Sequence, residues 1–153
     1  MSKITKLPDR ILSKKISQIS SESVKKGDFT ELILEMKKEM KDNMGVGLAA
    51  NQIGKDLAIF VIEPKLTENS KFPDVYINPE ITEYSNDTDY MEEGCLSIPG
   101  FFVQIKRAKK IRIKFIDETG EKKKLKAKGF LARVLQHETD HLNGLTIKNR
   151  FKK

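Results

Sequence analysis

The sequence predicts a single α+β domain, with helices first, antiparallel strands in the middle and a helix near the end. Three observations carry this prediction: helical spacing of apolar residues before residue 45, β-branched and aromatic stretches from 57 to about 128, and a return of helical spacing after Gly129. A chain of 153 residues is long enough to bury one core, so we expect one domain spanning 1–153.

Two helices are predicted in the first third of the chain. The stretch DRILSKKIS at 9–17 could form a short helix. A firmer one is expected to begin at Asp28, which can cap the helix while Glu31 closes a capping box, and to end near 43–45. Its apolar positions follow helical spacing: Leu32, Ile33, Met36 and Met40.

The middle of the chain predicts strands, with LAIFVI at 57–62, DVYINPEITEY at 74–84 and KKIRIKFID at 109–117. The last of these alternates apolar and basic residues, as a half-buried strand does. The turn DETG at 117–120 then predicts a hairpin with the strand that follows it. After Gly129 the helical pattern runs to Asn143-Gly144, which is a typical helix stop.

The composition excludes several classes of protein. No apolar run approaches membrane-spanning length, and the N-terminus lacks the apolar segment of a secretory signal, so we expect a cytoplasmic protein that binds no membrane. A single cysteine, Cys95, excludes an internal disulfide. The net charge of +7 allows attraction to nucleic acid, but no aromatic residues alternate with the basic clusters at 106–110, 122–128 and 148–153. We therefore favour lysines that keep an exposed hairpin soluble and protect an edge strand, and we expect no DNA binding.

The segment QHETDHLNG at 136–144 predicts a metal site. His137 and His141 are the only histidines in the chain, and residues four apart on a helix share one face. Glu138 lies between them, where it could act as a general base toward a metal-activated water. The alternative, two histidines placed on a helix by chance, is disfavoured by the spacing together with the adjacent glutamate.

A catalytic site of this kind needs a third protein ligand. The nine residues after Gly144 contain no His, Cys, Asp or Glu, so the ligand must come from upstream. Cys95, in EEGCLSIPG at 92–100, is favoured over an upstream carboxylate. A thiolate with two imidazoles suits Zn²⁺ or Fe²⁺ and leaves a fourth position open.

The segment GVGLAANQIG at 45–54 superficially resembles a dinucleotide-binding fingerprint. That fingerprint must follow a strand, whereas a helix precedes this segment, so nucleotide binding is not expected. Its small residues could let the backbone approach a ligand, and Gln52 could then donate to an oxyanion. A tight turn between helix and strand is the alternative.

Taken in order, GVGLAANQ, EGCLS and QHETDHLNG resemble the three signature motifs of peptide deformylases. The similarity extends through PDRIL, YINPEI, VQIKRAKKIRIKFIDETG and GFLARVLQHE, and so covers most of the chain. The resemblance implies a hydrolase that removes the formyl group from the N-terminal formyl-methionine of newly made proteins and releases formate. The family fold places its metal-bearing helix against antiparallel strands.

The resemblance also implies a role for each matching position. Cys95, His137 and His141 would bind the metal, and Glu138 would be the general acid/base. Gln52 and the backbone N–H of Leu96 would form the oxyanion hole. Arg107 would pair with Glu93 and order the cysteine loop. The residues expected to contact substrate, mostly around the methionine side chain, are Val46, Gly47, Met91, Glu93, Gly94, Phe130 and Val134.

The same resemblance implies one divalent metal ion per chain, Fe²⁺ in the cell, with Zn²⁺, Ni²⁺ or Co²⁺ as substitutes. We expect a monomer that acts on N-formylmethionyl nascent peptides in a bacterial or phage-infected cytoplasm, more than in an organelle. The chain is closest to the shorter bacterial and phage members, because it ends soon after the third motif where many members continue into a longer helix. Ribosome docking through the basic tail KNRFKK is a hypothesis. An HExxH peptidase that cleaves internal bonds and an inactive relative that binds peptides or RNA are the alternatives.

Overall fold

The computed structural model describes residues 4–67 and 72–151, and it confirms the predicted single-domain α+β fold. Single 3₁₀ turns form at Arg10–Ser13, Ala50–Ile53 and Pro64–Thr67. The helices are α1 (Ser21–Lys25), α2 (Thr30–Asp42), α3 (Gly129–Leu142) and α4 (Ile147–Arg150). The strands are β1 (Gly47–Ala49), β2 (Ile59–Ile62), β3 (Val75–Tyr84), β4 (Thr88–Cys95), β5 (Ile98–Ala108), β6 (Lys110–Ile116) and β7 (Lys122–Lys128).

The strands form two antiparallel sheets. Five strands pair in the order β1-β2-β3-β6-β7, and β4 and β5 form a separate two-stranded sheet. The sequence indicated strands throughout 57–128 but did not separate this second sheet, which carries Cys95 at the end of β4. The hairpin predicted around DETG is confirmed as β6 and β7.

Strand β2 of the larger sheet is buried on both faces, and alternate residues of a strand point to opposite faces. Ile59 and Val61 of β2 lie in one apolar cluster with Ile33 and Met36 of α2. Phe60 and Ile62 lie in another, with residues of α3 that include Val134 and Leu135. The sheet thus holds α2 on one side and α3 on the other, which fixes the position of the helix that bears both histidines.

Two details of the predicted helices were wrong. Helix α2 starts at Thr30 after an N-cap at Phe29 with no side-chain hydrogen bond, so Asp28 and Glu31 form no capping box. The chain turns at Gly27, whose φ is 77°, and the Gly27 carbonyl accepts from the Thr30 amide, while Phe29 packs against the core. This arrangement leaves Asp28 outside the cap position.

The stretch 9–17 forms only one 3₁₀ turn, and the chain then extends. The Ile16 amide donates to the Leu142 carbonyl, and the Ala58 amide donates to the Ser17 carbonyl. These long-range backbone bonds replace the helical ones that local spacing predicted.

The end of α3 agrees with the predicted stop at Asn143-Gly144. Gly144 has a φ of 78°, and its N–H donates to the His141 carbonyl. A Cβ atom at this position would lie 2.8–2.9 Å from the backbone of Lys14. Glycine is therefore required both by the left-handed conformation and by the close passage of the N-terminal segment. The chain then adds one more turn, α4, which the sequence did not predict.

Asp117 organises the turn of the β6–β7 hairpin. One of its carboxylate oxygens accepts from the Thr119 amide and hydroxyl and from the Glu121 amide, and the other pairs with Lys123 at 3.1 Å. Burial alone would raise the pKa of Asp117, but these hydrogen bonds to the ionised form outweigh it and lower that pKa.

Within residues 4–67 and 72–151, no helix is both long enough and apolar enough to cross a bilayer.

Candidate metal centre

Helix α3 and the end of β4 bring the three predicted ligands together. His137 and His141 lie on one face of α3, and the β4–β5 turn places Cys95 beside them. The ligand atoms of Cys95, His137 and His141 all lie within 4.8 Å of one another, and the Cys95 Sγ is 3.3 Å from His141 Nε2. This is the one such cluster of three among the described residues. The geometry favours Cys95 over a carboxylate as the third ligand.

Glu93 holds the ring of His137 in place. Its Oε1 lies 2.9 Å from His137 Nδ1, so a proton on Nδ1 leaves Nε2 free as a ligand atom. Arg107 contacts both carboxylate oxygens of Glu93 at 2.9–3.0 Å, which confirms the expected pairing, and Arg133 contacts Oε2 at 2.6 Å. Burial alone would raise the pKa of Glu93, but the hydrogen bonds from His137 and Arg107 lower it well below its ordinary range.

The same network continues to the end of the chain through Asp140. Arg107 donates to Asp140 Oδ2 at 2.5 Å, and Arg150 of α4 contacts both oxygens of that carboxylate at 2.8–3.0 Å. Asp140 precedes His141 directly, so the backbone that carries this histidine is fixed by two arginines. Asn51 also donates to the His141 carbonyl at 2.7 Å.

The two histidines have opposite pKa shifts. The pKa of His141 lies well below its usual value, because the side chain is fully buried and next to His137, which keeps the ring neutral as a metal ligand requires. Burial alone would lower the pKa of His137, but its contacts with the Cys95 sulfur and the Glu93 carboxylate raise it to about 10. A metal that binds here would therefore displace a proton.

Glu138 lines the same cleft as Cys95 and His137. It is 3% exposed, and its Oε1 has no hydrogen-bond partner among the described residues. Burial raises its pKa to about 7, in the range that suits a group that both takes and gives a proton near neutral pH.

The segment 45–54 supplies one wall of the cleft. It forms the short strand β1 and then a 3₁₀ turn, so it is neither a dinucleotide loop nor a simple tight turn. The side chain of Gln52 accepts from the Ala49 amide at 3.0 Å and donates to the Ser97 hydroxyl at 3.1 Å, with its Nε2 3.7 Å from Cys95 Sγ. These contacts point the amide N–H groups toward the metal cluster.

The cleft has a volume of about 650 Å³ and contains most of the predicted substrate-binding residues. Met91 is the exception, because it does not line the cleft. It is on the same face of β4 as Glu93, but it is two residues farther from Cys95 along the strand. The predicted residues that line the cleft are Val46, Gly47, Gln52, Glu93, Gly94, Cys95, Leu96, Phe130, Val134, His137 and Glu138.

Several residues of the site were missed in the sequence. Ile4, Met44 and Phe102 line the cleft, Phe102 with its ring against Gly94, where a Cβ would overlap it. Arg133 could have been found, because it lies four residues before His137 and so shares its helical face. Ser97, Asp140 and Arg150 gave no comparable local signal.

Comparison with known proteins agrees with this site. The family model described as Polypeptide deformylase matches residues 1–153. Among curated relatives, the peptide deformylase of Dictyoglomus turgidum (strain DSM 6724 / Z-1310) is 47% identical over 151 residues, which cover 96% of this chain and 90% of that protein. The peptide deformylase of Prochlorococcus marinus (strain MIT 9312) is 43% identical over 150 residues, covering 96% and 72%.

Solved structures give the same result. The crystal structure of peptide deformylase from Thermotoga maritima superposes with a TM-score of 0.89 at 37% identity, covering 100% of this chain and 99% of that one. A peptide deformylase from Synechococcus elongatus in complex with actinonin has a TM-score of 0.89 at 35% identity, covering 98% and 78%.

Proposed function

The chain belongs to the polypeptide deformylase family, and on that premise we propose which residues carry out its reaction and what they bind. As a member, it is a metal-dependent hydrolase of N-formylmethionyl peptides that removes the formyl group from newly made polypeptides. The observation that supports the assignment of roles is the convergence of Cys95, His137 and the fully buried His141, in a cleft that Cys95, His137 and Glu138 line.

The donor set fits a single divalent ion. One thiolate and two imidazoles within 4.8 Å of one another match a three-ligand catalytic site, and Glu138, whose Oε1 has no hydrogen-bond partner among the described residues, lines the same cleft. A metal held there supplies Lewis-acid activation of a water molecule and of the formyl oxygen. We propose Fe²⁺ as the ion in the cell, with Zn²⁺, Ni²⁺ or Co²⁺ as substitutes, since soft thiolate and imidazole ligands accept all of them.

Glu138 moves the protons of the reaction. With a pKa near 7, its carboxylate takes a proton from the attacking water and delivers it to the departing amine, which leaves formate and a free methionine N-terminus. Burial suits this role because it excludes other proton donors and brings the pKa close to the working pH.

The negative charge that develops on the formyl oxygen is stabilised by the Gln52 side-chain amide and the Leu96 backbone N–H. Gln52 is buried, and its orientation is fixed by Ala49 and Ser97, so no reorganisation is needed when the charge appears. The cleft walls would accept the methionine side chain against Phe130 and Val134, and the peptide backbone against Gly47.

The alternative, an HExxH peptidase that cleaves internal bonds, has no supporting observation. An inactive relative is equally unsupported, because Glu138, Gln52 and all three ligands are present and converge. We propose that the substrate of this protein is the N-formylmethionyl nascent chain. We also propose that the protein acts as a monomer and in the cytoplasm. A single species at about 17.5 kDa in light scattering would be expected.

Docking of the basic tail on the ribosome remains a separate proposal. Of its cations, Arg150 is paired with Asp140 and Lys148 lies 5.4 Å from the ring centre of Phe101, whereas Lys152 and Lys153 lie outside the described residues. If neutralising all four cations leaves ribosome co-sedimentation unchanged at low salt, the tail is not the docking element.

The assigned roles are tested by formate release from formyl-Met-Ala-Ser. Glu138→Ala should lose deformylation by a factor of about 10² to 10⁴ while keeping its metal, because the base is not a ligand. Unblocked peptides of similar length should remain intact with the wild-type protein. Activity in Glu138→Ala, or cleavage of internal bonds by the wild type, would overturn the proposal.

A further inference from the structure

The outer face of the β6–β7 hairpin carries two facing rows of cations. Because alternate residues share a face, three positions of β6 and three of β7 project from the same side, all exposed and directly opposite one another in three pairs. We call this set the basic ladder: Lys110, Arg112, Lys114, Lys124, Lys126 and Lys128.

The basic ladder opposes the stability of the hairpin. Like charges directly opposite across two strands repel, and an acidic residue in either row would turn each pair into an attractive one. Only two carboxylates of the described residues pair with the ladder: Glu83 with Arg112 at 2.7 Å, and Glu80 with Lys114 at 3.4 Å. The other four lysines of the ladder form no ion pair with a described carboxylate. Six cations and two anions leave the face at about +4.

Protection of an edge strand does not explain this arrangement. Lysines on β7, the edge of the sheet, would discourage pairing with another chain. The facing row is on β6, which is paired on both sides and needs no such protection. Along the ladder lies a groove of about 450 Å³ lined by four of its cations, Arg112, Lys114, Lys124 and Lys126, together with Thr82, Ile113 and Leu125.

We propose that the basic ladder binds the phosphate backbone of folded, helical RNA. The cations in each row are on every second residue, so their Cα atoms are about 6.8 Å apart along the strand. A regular row of positive charges of this kind can bind the phosphates of a polyanion. None of the exposed large apolar or aromatic side chains lies on β6 or β7. The face therefore offers neither a platform on which single-stranded bases could stack nor a side chain to insert into a bilayer.

The choice of RNA over DNA as the ligand rests on the proposed function, because a newly synthesised polypeptide is made on RNA. One end of the basic ladder is also close to the cleft, because Lys128 is two residues before Phe130 in the sequence and Phe130 lines the cleft. An RNA helix on the ladder would lie next to the entrance for the peptide, without touching the catalytic residues.

The test uses a labelled RNA duplex of about 16 base pairs, the length that shape-reading RNA domains span, and measures binding by anisotropy from 50 to 200 mM KCl. In the ladder variant the four unpaired lysines, 110, 124, 126 and 128, become glutamine. The matched control replaces four exposed lysines elsewhere, Lys15, Lys26, Lys41 and Lys55, so both variants fall from +7 to about +3. Anisotropy with the same duplex as DNA, and pelleting with vesicles containing phosphatidylserine, complete the set.

For the wild type we expect a slope of log K against log salt of about −3.6, from four phosphate contacts, and thus a loss of about 150-fold in affinity across this range. The ladder variant should lose most of that slope and at least about tenfold in affinity at 50 mM KCl, whereas the control should keep both. Equal losses in the two variants would show attraction by net charge alone and overturn the proposal. So would ladder-dependent binding to vesicles or DNA that equals or exceeds binding to RNA, or no binding at all.

Formate release by the ladder variant should equal that of the wild type, so failure of this proposal leaves the proposed function intact. Conversely, RNA binding in a protein that released no formate would remove only the reason for choosing RNA over DNA.

Discussion

Replacing Gly47 with alanine would place a methyl group against the carboxylate that we propose as the general base. An ideal Cβ at this position lies 2.6 Å from Glu138 Oε2 and 2.9 Å from its Cδ and Cγ. Gly47 is in strand β1 with no left-handed φ, so alanine is acceptable to the backbone, and the three atoms nearest to the added methyl group all belong to Glu138.

The size of the effect follows from that distance. Ordinary van der Waals contact begins at 3.4 Å, so Oε2 must retreat by about 0.8 Å. A misplacement of about 1 Å at a catalytic group costs on the order of 10²-fold in rate, and we expect a fall of that order in kcat for Gly47→Ala. Metal content should not change, because the three atoms nearest to the added methyl group belong to Glu138, which is not a metal ligand.

The assay is steady-state formate release from formyl-Met-Ala-Ser, with metal content measured on the same preparation. Gly45→Ala is the matched control: its Cβ would lie 3.0 Å from the flexible end of Leu96, which can move, so kcat should stay near that of the wild type. An unchanged kcat in Gly47→Ala would refute the reasoning about Glu138. A rise in KM alone would mean that the added methyl group disturbs only the proposed contact of Gly47 with the substrate backbone, and not Glu138.

Three further predictions concern stability, measured by urea unfolding of the metal-free protein. Arg107→Met should cost about 3 kcal/mol, because it leaves two buried carboxylates short of a partner; a cost under about 1 kcal/mol would mean that the network is not stabilising. Asp117→Asn should cost about 1–2 kcal/mol above pH 5. The folded-state pKa of Asp117 is lowered, so its contribution to the free energy of unfolding is present above the unfolded pKa of about 4 and is lost as pH falls through the folded value. A stability difference between wild type and Asp117→Asn that grew on acidification would contradict this assignment. Lys124→Glu, directly opposite Lys114, should raise stability by about 0.2–1 kcal/mol, and destabilisation would show that the like-charge pairs are harmless.

The sequence predicted the elements whose signal is local and periodic. The alternation of β6, the helical spacing of α3 and the four-residue spacing of His137 and His141 each depend on neighbours along the chain, and each was confirmed. Cys95 was a prediction of another kind, since it followed from the absence of other donors and from a resemblance of motifs.

The parts that could not be predicted depend on contacts between distant residues. The resemblance of motifs implied the pair of Glu93 with Arg107, but nothing local in the sequence reveals that Arg133, 40 residues away from Glu93, is a second guanidinium partner of this carboxylate. The cap expected at Asp28 was wrong for a related reason: packing of Phe29 against the core decided where α2 begins. Met91 is on the same face of β4 as Glu93, but it is four residues before Cys95 on the strand and lies outside the lining of the cleft. The sequence does not reveal how far along β4 the cleft extends.

The most direct test of the account is metal content, measured together with formate release on anaerobically purified wild-type and Cys95→Ala protein. The account predicts about one equivalent of a divalent metal per wild-type chain, with formate release proportional to it, as a three-ligand catalytic site requires. It predicts that Cys95→Ala loses both metal retention and activity. Full activity and a full equivalent of metal in Cys95→Ala would contradict the proposed site.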